Sequence, residues 1–196
     1  MEKQQEKEDV YWAEIDKHNI GPHHMVFLDE TSADRRCLTR RYGFSKKNQR
    51  ACIRGLFVRG TRYSTVALLH KYAGIMDYEI VEGSFTSELM QDFADTIIAH
   101  MNAFPLDRYV LVMDNCRIHH NNEFVERIEA AGIKVLFLPP YSPDLNPIEN
   151  AFSKIKKHLE KIGRADKDKD ALVLMRQAIA SVTPADCAGY VMRSGY

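Results

Sequence analysis

The order in which hydrophobic periodicity changes along the chain is what most restricts its fold. Met25-Val-Phe-Leu28 is a short apolar run that stops at Asp29-Glu30, the pattern of a buried strand. Cys52 to Val58 and Tyr63 to His70 are rich in β-branched and aromatic residues. Lys71-Tyr-Ala-Gly74 then reads as a turn into a third strand, Ile75 to Val81, where Met76, Tyr78 and Ile80 alternate with Asp77 and Glu79. From there the period lengthens. Thr86 is placed as an N-cap, and Leu89, Phe93, Ile97 and Met101 recur every four residues, an amphipathic helix that Pro105 closes.

Tyr109-Val-Leu-Val-Met113 is the most apolar strand in the chain, as a central strand covered on both faces should be, and it stops at Asp114-Asn115. A helix after Asn121-Asn122 carries Phe124, Ile128 and Ala131 on one face and ends at Gly132. Lys134 to Leu138 is a further strand. It runs into the Pro139–Pro147 loop, whose four prolines predict irregular backbone. A helix from Pro147 to Ile162, a charged linker at 164–170, a helix from Ala171 to Val182 and a short tail complete the chain. Residues 1–20 read as a charged lead-in, helical around Val10 to Ile15. Three strands followed by alternating helices and strands predict an α/β fold, a mixed five-stranded sheet flanked by helices in the ribonuclease-H-like order.

Bulk properties exclude more than they assign. At 196 residues, 45% hydrophobic and 28% charged, the chain has the composition of a soluble globular domain. No apolar run is long enough to span a bilayer, and the polar start carries no secretory signal, so no membrane partner is expected. The four cysteines (Cys37, Cys52, Cys116, Cys187) form no C-x-x-C pair, which argues against a zinc cluster or disulfide framework and for a reducing compartment. The formal net charge is zero, but it is unevenly spread. Arg35, Arg36, Arg40, Arg41, Lys46, Lys47 and Arg50 form a block without one acid, either a solvated loop or a polyanion contact. Lys154, Lys156, Lys157 and Lys161 give a later helix a basic face with the same two readings.

Three acids stand at element ends. Asp29 and Asp114 each close an apolar strand, and Glu149 follows Asn146-Pro147-Ile148 at the start of a helix. Each has a structural explanation. A strand-end aspartate can be a turn former, and Asn146, Pro147 and Glu149 have the spacing of a capping box. Together they suggest more. If the two strands are neighbours, the carboxylates converge and would repel unless a cation neutralised them. An all-oxygen donor set suits Mg²⁺ or Mn²⁺, and two such ions can drive phosphodiester chemistry. Asp144 reads as a turn former, Glu30 as pointing away from the site, and His23 and His24 as surface residues.

The surrounding motifs are more specific. F-L-D-E-T at 27–31, V-M-D-N-C-R-I-H-H at 112–120 and L-P-P-Y-S-P-D-L-N-P-I-E-N-A-F-S-K-I-K at 138–156 resemble the DDE catalytic domain of the mariner-type transposase superfamily. The 34 residues between Asp114 and Glu149 match its spacing. R-R-Y-G at 40–43, R-G-T-R-Y-S at 59–64 and V-E-G-S-F-T at 81–86 resemble fungal genomic copies in particular. The resemblance implies a DDE superfamily endonuclease that cuts and pastes DNA. Asp29, Asp114 and Glu149 would be the catalytic, metal-binding triad, with Asn115 and His119 in support.

It further implies Mg²⁺ or Mn²⁺, two ions, as cofactor, and double-stranded DNA (transposon ends and target) as partner. A homodimer on paired ends is implied too, as is a nuclear location if the source is eukaryotic and a cytoplasmic one otherwise. The expected organisation is a lead-in at 1–22, the catalytic domain at 23–163 and a helical extension at 164–196 packed on it. The helix-turn-helix region usual in the superfamily is not expected in a lead-in this short. A non-catalytic DNA-binding remnant, domesticated or decaying, is the alternative.

Overall fold

The computed structural model describes residues 2–33, 44–50, 61–115, 122–165 and 170–196. The β-branched and aromatic stretch at Cys52–Val58 lies outside them. Five strands form one sheet: β1 (Met25–Ala33), β2 (Tyr63–His70), β3 (Gly74–Glu82), β4 (Val110–Met113) and β5 (Lys134–Phe137), in the order β3-β2-β1-β4-β5. β1, β2 and β3 pair antiparallel as a meander, whereas β4 joins β1, and β5 joins β4, in parallel. Parallel neighbours need crossovers, and the helices α2 (Ser87–His100) and α3 (Asn122–Ala130) supply them. The mixed sheet expected from the element order is therefore present.

Strand periodicity divides the core into two. Val26, Leu28, Leu111 and Met113 face α2 and α3, where they meet Phe93, Ile97, Phe124 and Ile128. Met25, Phe27, Val110 and Val112 point the other way, onto α4 (Pro147–Ala165), α5 (Ala171–Ala180) and α6 (Pro184–Arg193). The apolar stripe of α4 is Ile148, Ala151, Phe152, Ile155 and Leu159, all buried. Each large side chain so covered contributes about 1.5–3 kcal/mol, enough to fix which face of α4 meets the sheet. Among the described residues no helix is long and apolar enough to cross a membrane.

Three elements differ from expectation, the first being β1, which stays paired with β2 through Asp29 as far as Ala33 instead of stopping at Asp29-Glu30. The lead-in is helical far beyond Val10–Ile15: α1 (Glu2–Lys17) buries Tyr11 and Ile15 in the core, and Glu14 accepts a 2.7 Å bond from Lys134 at the edge strand β5. Its two buried anchors sit four residues apart in a mostly polar and charged helix, so tertiary packing rather than intrinsic amphipathicity orders it.

The tail after Thr183 is also helical. Thr183-Pro-Ala-Asp186 is a capping box: the Thr183 side chain accepts from the Asp186 N–H, and the Asp186 carboxylate accepts from the Thr183 N–H. Asp186 also accepts from Lys154 of α4, and that ammonium, followed by the Thr183 hydroxyl and N–H, holds its pKa down at about 2. A lowered carboxylate pKa means that this contribution to stability is complete above the ordinary aspartate value and is lost as pH falls toward 2. Thr183→Ala is expected to cost about 0.5–2 kcal/mol in a urea titration at neutral pH. Cys187, on the first turn of α6, is a buried free thiol whose pKa burial pushes up to about 12, so it stays protonated and unreactive at neutral pH.

Candidate active site

The parallel register of β1 and β4 pairs Leu28 with Met113. Asp29 and Asp114, the next residue on each strand, therefore stand side by side where the two strands end their pairing. Both follow the parity of Phe27 and Val112, which places them on the α4 side of the sheet. Asp29 is buried and Asp114 half-buried. The condition for the two carboxylates to converge, that their strands be neighbours, is met.

From β5 the chain continues through Leu138, whose N–H still reaches the Met113 carbonyl at 2.8 Å. Pro139 and Pro140 then end the ladder, having no N–H to donate. Tyr141 turns the chain at φ 62° with its ring exposed. Pro143–Leu145 closes one 3-10 turn, more regular than four prolines suggested, because proline at the first position has a suitable fixed φ and spends no needed donor. This delivers Asn146 and then Pro147, which opens α4. Glu149 lies on the first turn of α4, exposed, one position off the buried stripe, where the helix dipole favours an anion.

Asp29, Asp114 and Glu149 line one open cleft of about 630 Å³, together with Asn115 and the wall formed by residues 138–143 and Asn146. Local spacing marks Asn146 only as a helix cap. It is buried, and its amide nitrogen donates to Asp29 Oδ2 at 2.8 Å, while the Glu30 N–H donates to Asp29 Oδ1 at 2.6 Å. The sequence offered no direct signal for that contact, which joins residues 117 apart. Asp144, exposed on the 3-10 turn, is not among the lining residues.

Among the described residues, the group of three His, Cys, Asp or Glu whose ligand atoms lie within 4.8 Å of one another is His23, His24 and Asp107. It sits at the other end of β1 and β4, and His24 already spends its Nδ1 lone pair on the Gly21 N–H at 3.0 Å. The three acids of the cleft form a separate set. The donor set, all carboxylate, fits hard divalent ions.

The remaining site expectations fall in several places. His119 and Arg35, Arg36, Arg40 and Arg41 lie outside the described residues. Lys46, Lys47 and Arg50 are exposed. On α4, Lys157 is exposed, Lys156 is half-buried, and Lys154 is engaged by Asp186.

The fold has close structural relatives. The crystal structure of the catalytic domain of Mos1 mariner transposase superposes with a TM-score of 0.64 at 13% identity, covering 97% of this chain and 85% of that one. The Mos1 strand transfer complex matches with a TM-score of 0.62 at 17% identity over 100% of this chain and 63% of that chain. This chain thus spans about three fifths of the length of that transposase. A simian T-cell lymphotropic virus intasome matches with a TM-score of 0.54 at 18% identity, covering 81% of this chain and 47% of the other. These likenesses establish the ribonuclease-H-like fold. No curated protein sequence matches the chain significantly. The family model described as DDE superfamily endonuclease matches residues 24–173, most of the chain and all three acids of the cleft, and the protein belongs to that family.

Proposed function

We propose that this protein is the catalytic domain of a cut-and-paste transposase that cleaves DNA at element ends and joins the freed 3′-hydroxyl to target DNA. The observation that carries the reading is the side-by-side placement of Asp29 and Asp114 where the pairing of two adjacent parallel strands ends, with Glu149 lining the same cleft. Asp29, Asp114 and Glu149 would hold two divalent ions, Mg²⁺ or Mn²⁺. When bound, such ions polarise the scissile phosphate and activate a water or a 3′-hydroxyl. The chain's own contribution is placement. Asn146 and the Glu30 N–H orient Asp29, α4 presents Glu149, and Asn115 borders the cleft beside Asp114.

Double-stranded DNA is the proposed partner. The similar Mos1 structures include paired-end complexes with a transposon end and with Mg or Mn. Pairing of two ends favours a homodimer on DNA. Lys46, Lys47 and Arg50, with Arg35, Arg36, Arg40 and Arg41, offer charge for the phosphate backbone, as do Lys156 and Lys157.

Incubation with Mn²⁺ and duplexes carrying the inverted repeats that flank the gene should yield nicked ends, and pre-cleaved ends should be transferred into plasmid. DNA binding with no metal-dependent nicking would instead identify a non-catalytic remnant. Within the active protein, Asn146→Ala should raise the half-saturating Mn²⁺ concentration by about 10–100-fold, the usual effect of removing a residue that orients a metal ligand. An unchanged metal titration would leave Asn146 with no more than a turn-forming role.

A further inference from the structure

The loop at 139–146 is one wall of the cleft; its own backbone closes one turn, through the Leu145 N–H to the Ser142 carbonyl and the Asn146 N–H to the Pro143 carbonyl, and the rest of its restraint comes from outside. Pro139, Pro140 and Pro143 have no N–H, and Tyr141 occupies a left-handed conformation that a residue with a Cβ keeps only when its surroundings impose it. That outside restraint comes from two elements remote in sequence.

The first is α1. Gln4 Nε2 lies 3.1 Å from the Pro140 carbonyl, 2.9 Å from the Tyr141 carbonyl and 2.9 Å from Ser142 Oγ. An amide has two hydrogens, so Gln4 serves two of these acceptors at a time. The Ser142 hydroxyl in turn donates to Glu8 Oε1 at 2.8 Å, one turn along the same helix.

The second is Tyr196. After α6 the Gly195 N–H bonds the Met192 carbonyl and the Tyr196 N–H bonds the Val191 carbonyl, with Gly195 at φ 94°, which is the Schellman arrangement. That turn sends the Tyr196 ring back into the core, 5.2 Å from both Trp12 and Phe27. Its hydroxyl donates to the Leu145 carbonyl at 2.8 Å. The single hydroxyl hydrogen being spent there, the 2.7 Å contact with the Tyr11 hydroxyl is a bond donated by Tyr11. Leu145 directly precedes Asn146, the donor to Asp29.

We propose that α1 and Tyr196 form a positioning scaffold for the carboxylate cleft. Gln4, Glu8, Tyr11 and Tyr196 hold the loop from behind, and the loop sets Asn146 against Asp29 and starts the helix that bears Glu149. None of the four lines the cleft. The inference rests on the reading of the cleft as a metal-dependent phosphodiester site, and it adds that metal affinity and turnover depend on residues at both sequence extremes of the chain.

The test uses two variants of the full chain. Tyr11→Phe/Tyr196→Phe removes both hydroxyls together, so no buried hydroxyl is left without a partner. Gln4→Leu removes the other anchor. Four quantities are read: Mn²⁺ binding by electron paramagnetic resonance, the nicking rate at saturating Mn²⁺, KM for DNA, and Tm.

Each variant is expected to lose about 10–100-fold in Mn²⁺ affinity or saturated rate, with KM for DNA within about twofold of the parent. Tm should fall by less than about 10 °C, the range for one carbonyl losing its donor. Mn²⁺ binding and nicking within about twofold of the parent in both variants would overturn the scaffold while leaving the metal site standing. A Tm loss above about 10 °C that accounts for the lost activity would reduce these residues to general packing and overturn it too. Failure of the unmodified protein to bind Mn²⁺ or nick DNA would remove the functional reading, and the scaffold with it.

Discussion

Asp114→Asn is expected to abolish metal-dependent DNA cleavage while leaving the fold intact. The change is nearly isosteric and removes one charge from a half-buried strand end. Metal-assisted charge stabilisation supplies several kcal/mol to phosphodiester cleavage, so the rate should fall by at least about a thousandfold. Thermal unfolding separates this loss from damage to the fold. Without metal, the variant should still unfold in one cooperative transition, since neighbouring like charges at Asp29 and Asp114 lose their repulsion. With Mn²⁺ the unmodified protein should gain about 2.7 kcal/mol at a hundredfold excess over the dissociation constant, a gain the variant loses.

Asp29→Asn should match it in activity but not in stability. Asp29 is 7% exposed and accepts from both Asn146 and the Glu30 N–H, and an amide offers only one oxygen to those two donors. A cost of about 1–3 kcal/mol follows from leaving one of them without an acceptor. Cleavage that survives Asp114→Asn within tenfold would mean the cleft is not the catalytic centre.

Phe152→Ala should give the largest loss of stability. Phe152 is 1% exposed and lies on the α4 stripe that packs against the sheet. Emptying such a site costs about 3–5 kcal/mol through lost transfer energy and the cavity left behind. For a chain of this size each kcal/mol lowers Tm by roughly 2–4 °C, so a drop of about 6–20 °C is expected by calorimetry. Because Phe152 lies one turn after Glu149, the loosened helix start should also raise the Mn²⁺ requirement of the remaining folded protein. A Tm change under about 3 °C would show that α4 is not anchored through this stripe.

Most of the sheet was legible because its strands are bounded by abrupt changes of period. Met25–Leu28 and Tyr109–Met113 are apolar throughout and end in acids, and both proved wholly buried as far as those acids. The α4 stripe was equally clear, since Ile148, Phe152, Ile155 and Leu159 recur at helical spacing. What escaped was helical structure in polar sequence. α1 buries Tyr11 and Ile15 among charges, and α6 is announced by Thr183-Pro-Ala-Asp186, a capping signal ahead of a short stretch whose buried residues are Cys187 and Val191. In both cases partners distant in sequence, namely Lys134, Lys154 and the core aromatics, order the helix.

The candidate site divides along the same line. Residue chemistry and position relative to strand ends are local properties, so sequence alone could name Asp29, Asp114 and Glu149 and the hard-metal chemistry they suit. Which strands are neighbours, and in what register, is a long-range property. Only the parallel pairing of Leu28 with Met113 brings the two aspartates side by side. The same holds for Asn146, which local spacing marks as a helix cap and which tertiary contact turns into the buried donor that orients Asp29. Hydrophobic periodicity specifies which face of each element is buried. The partner that each polar side chain meets is decided only when the sheet, the helices and both sequence extremes pack together, because a buried donor must find its acceptor there or go without.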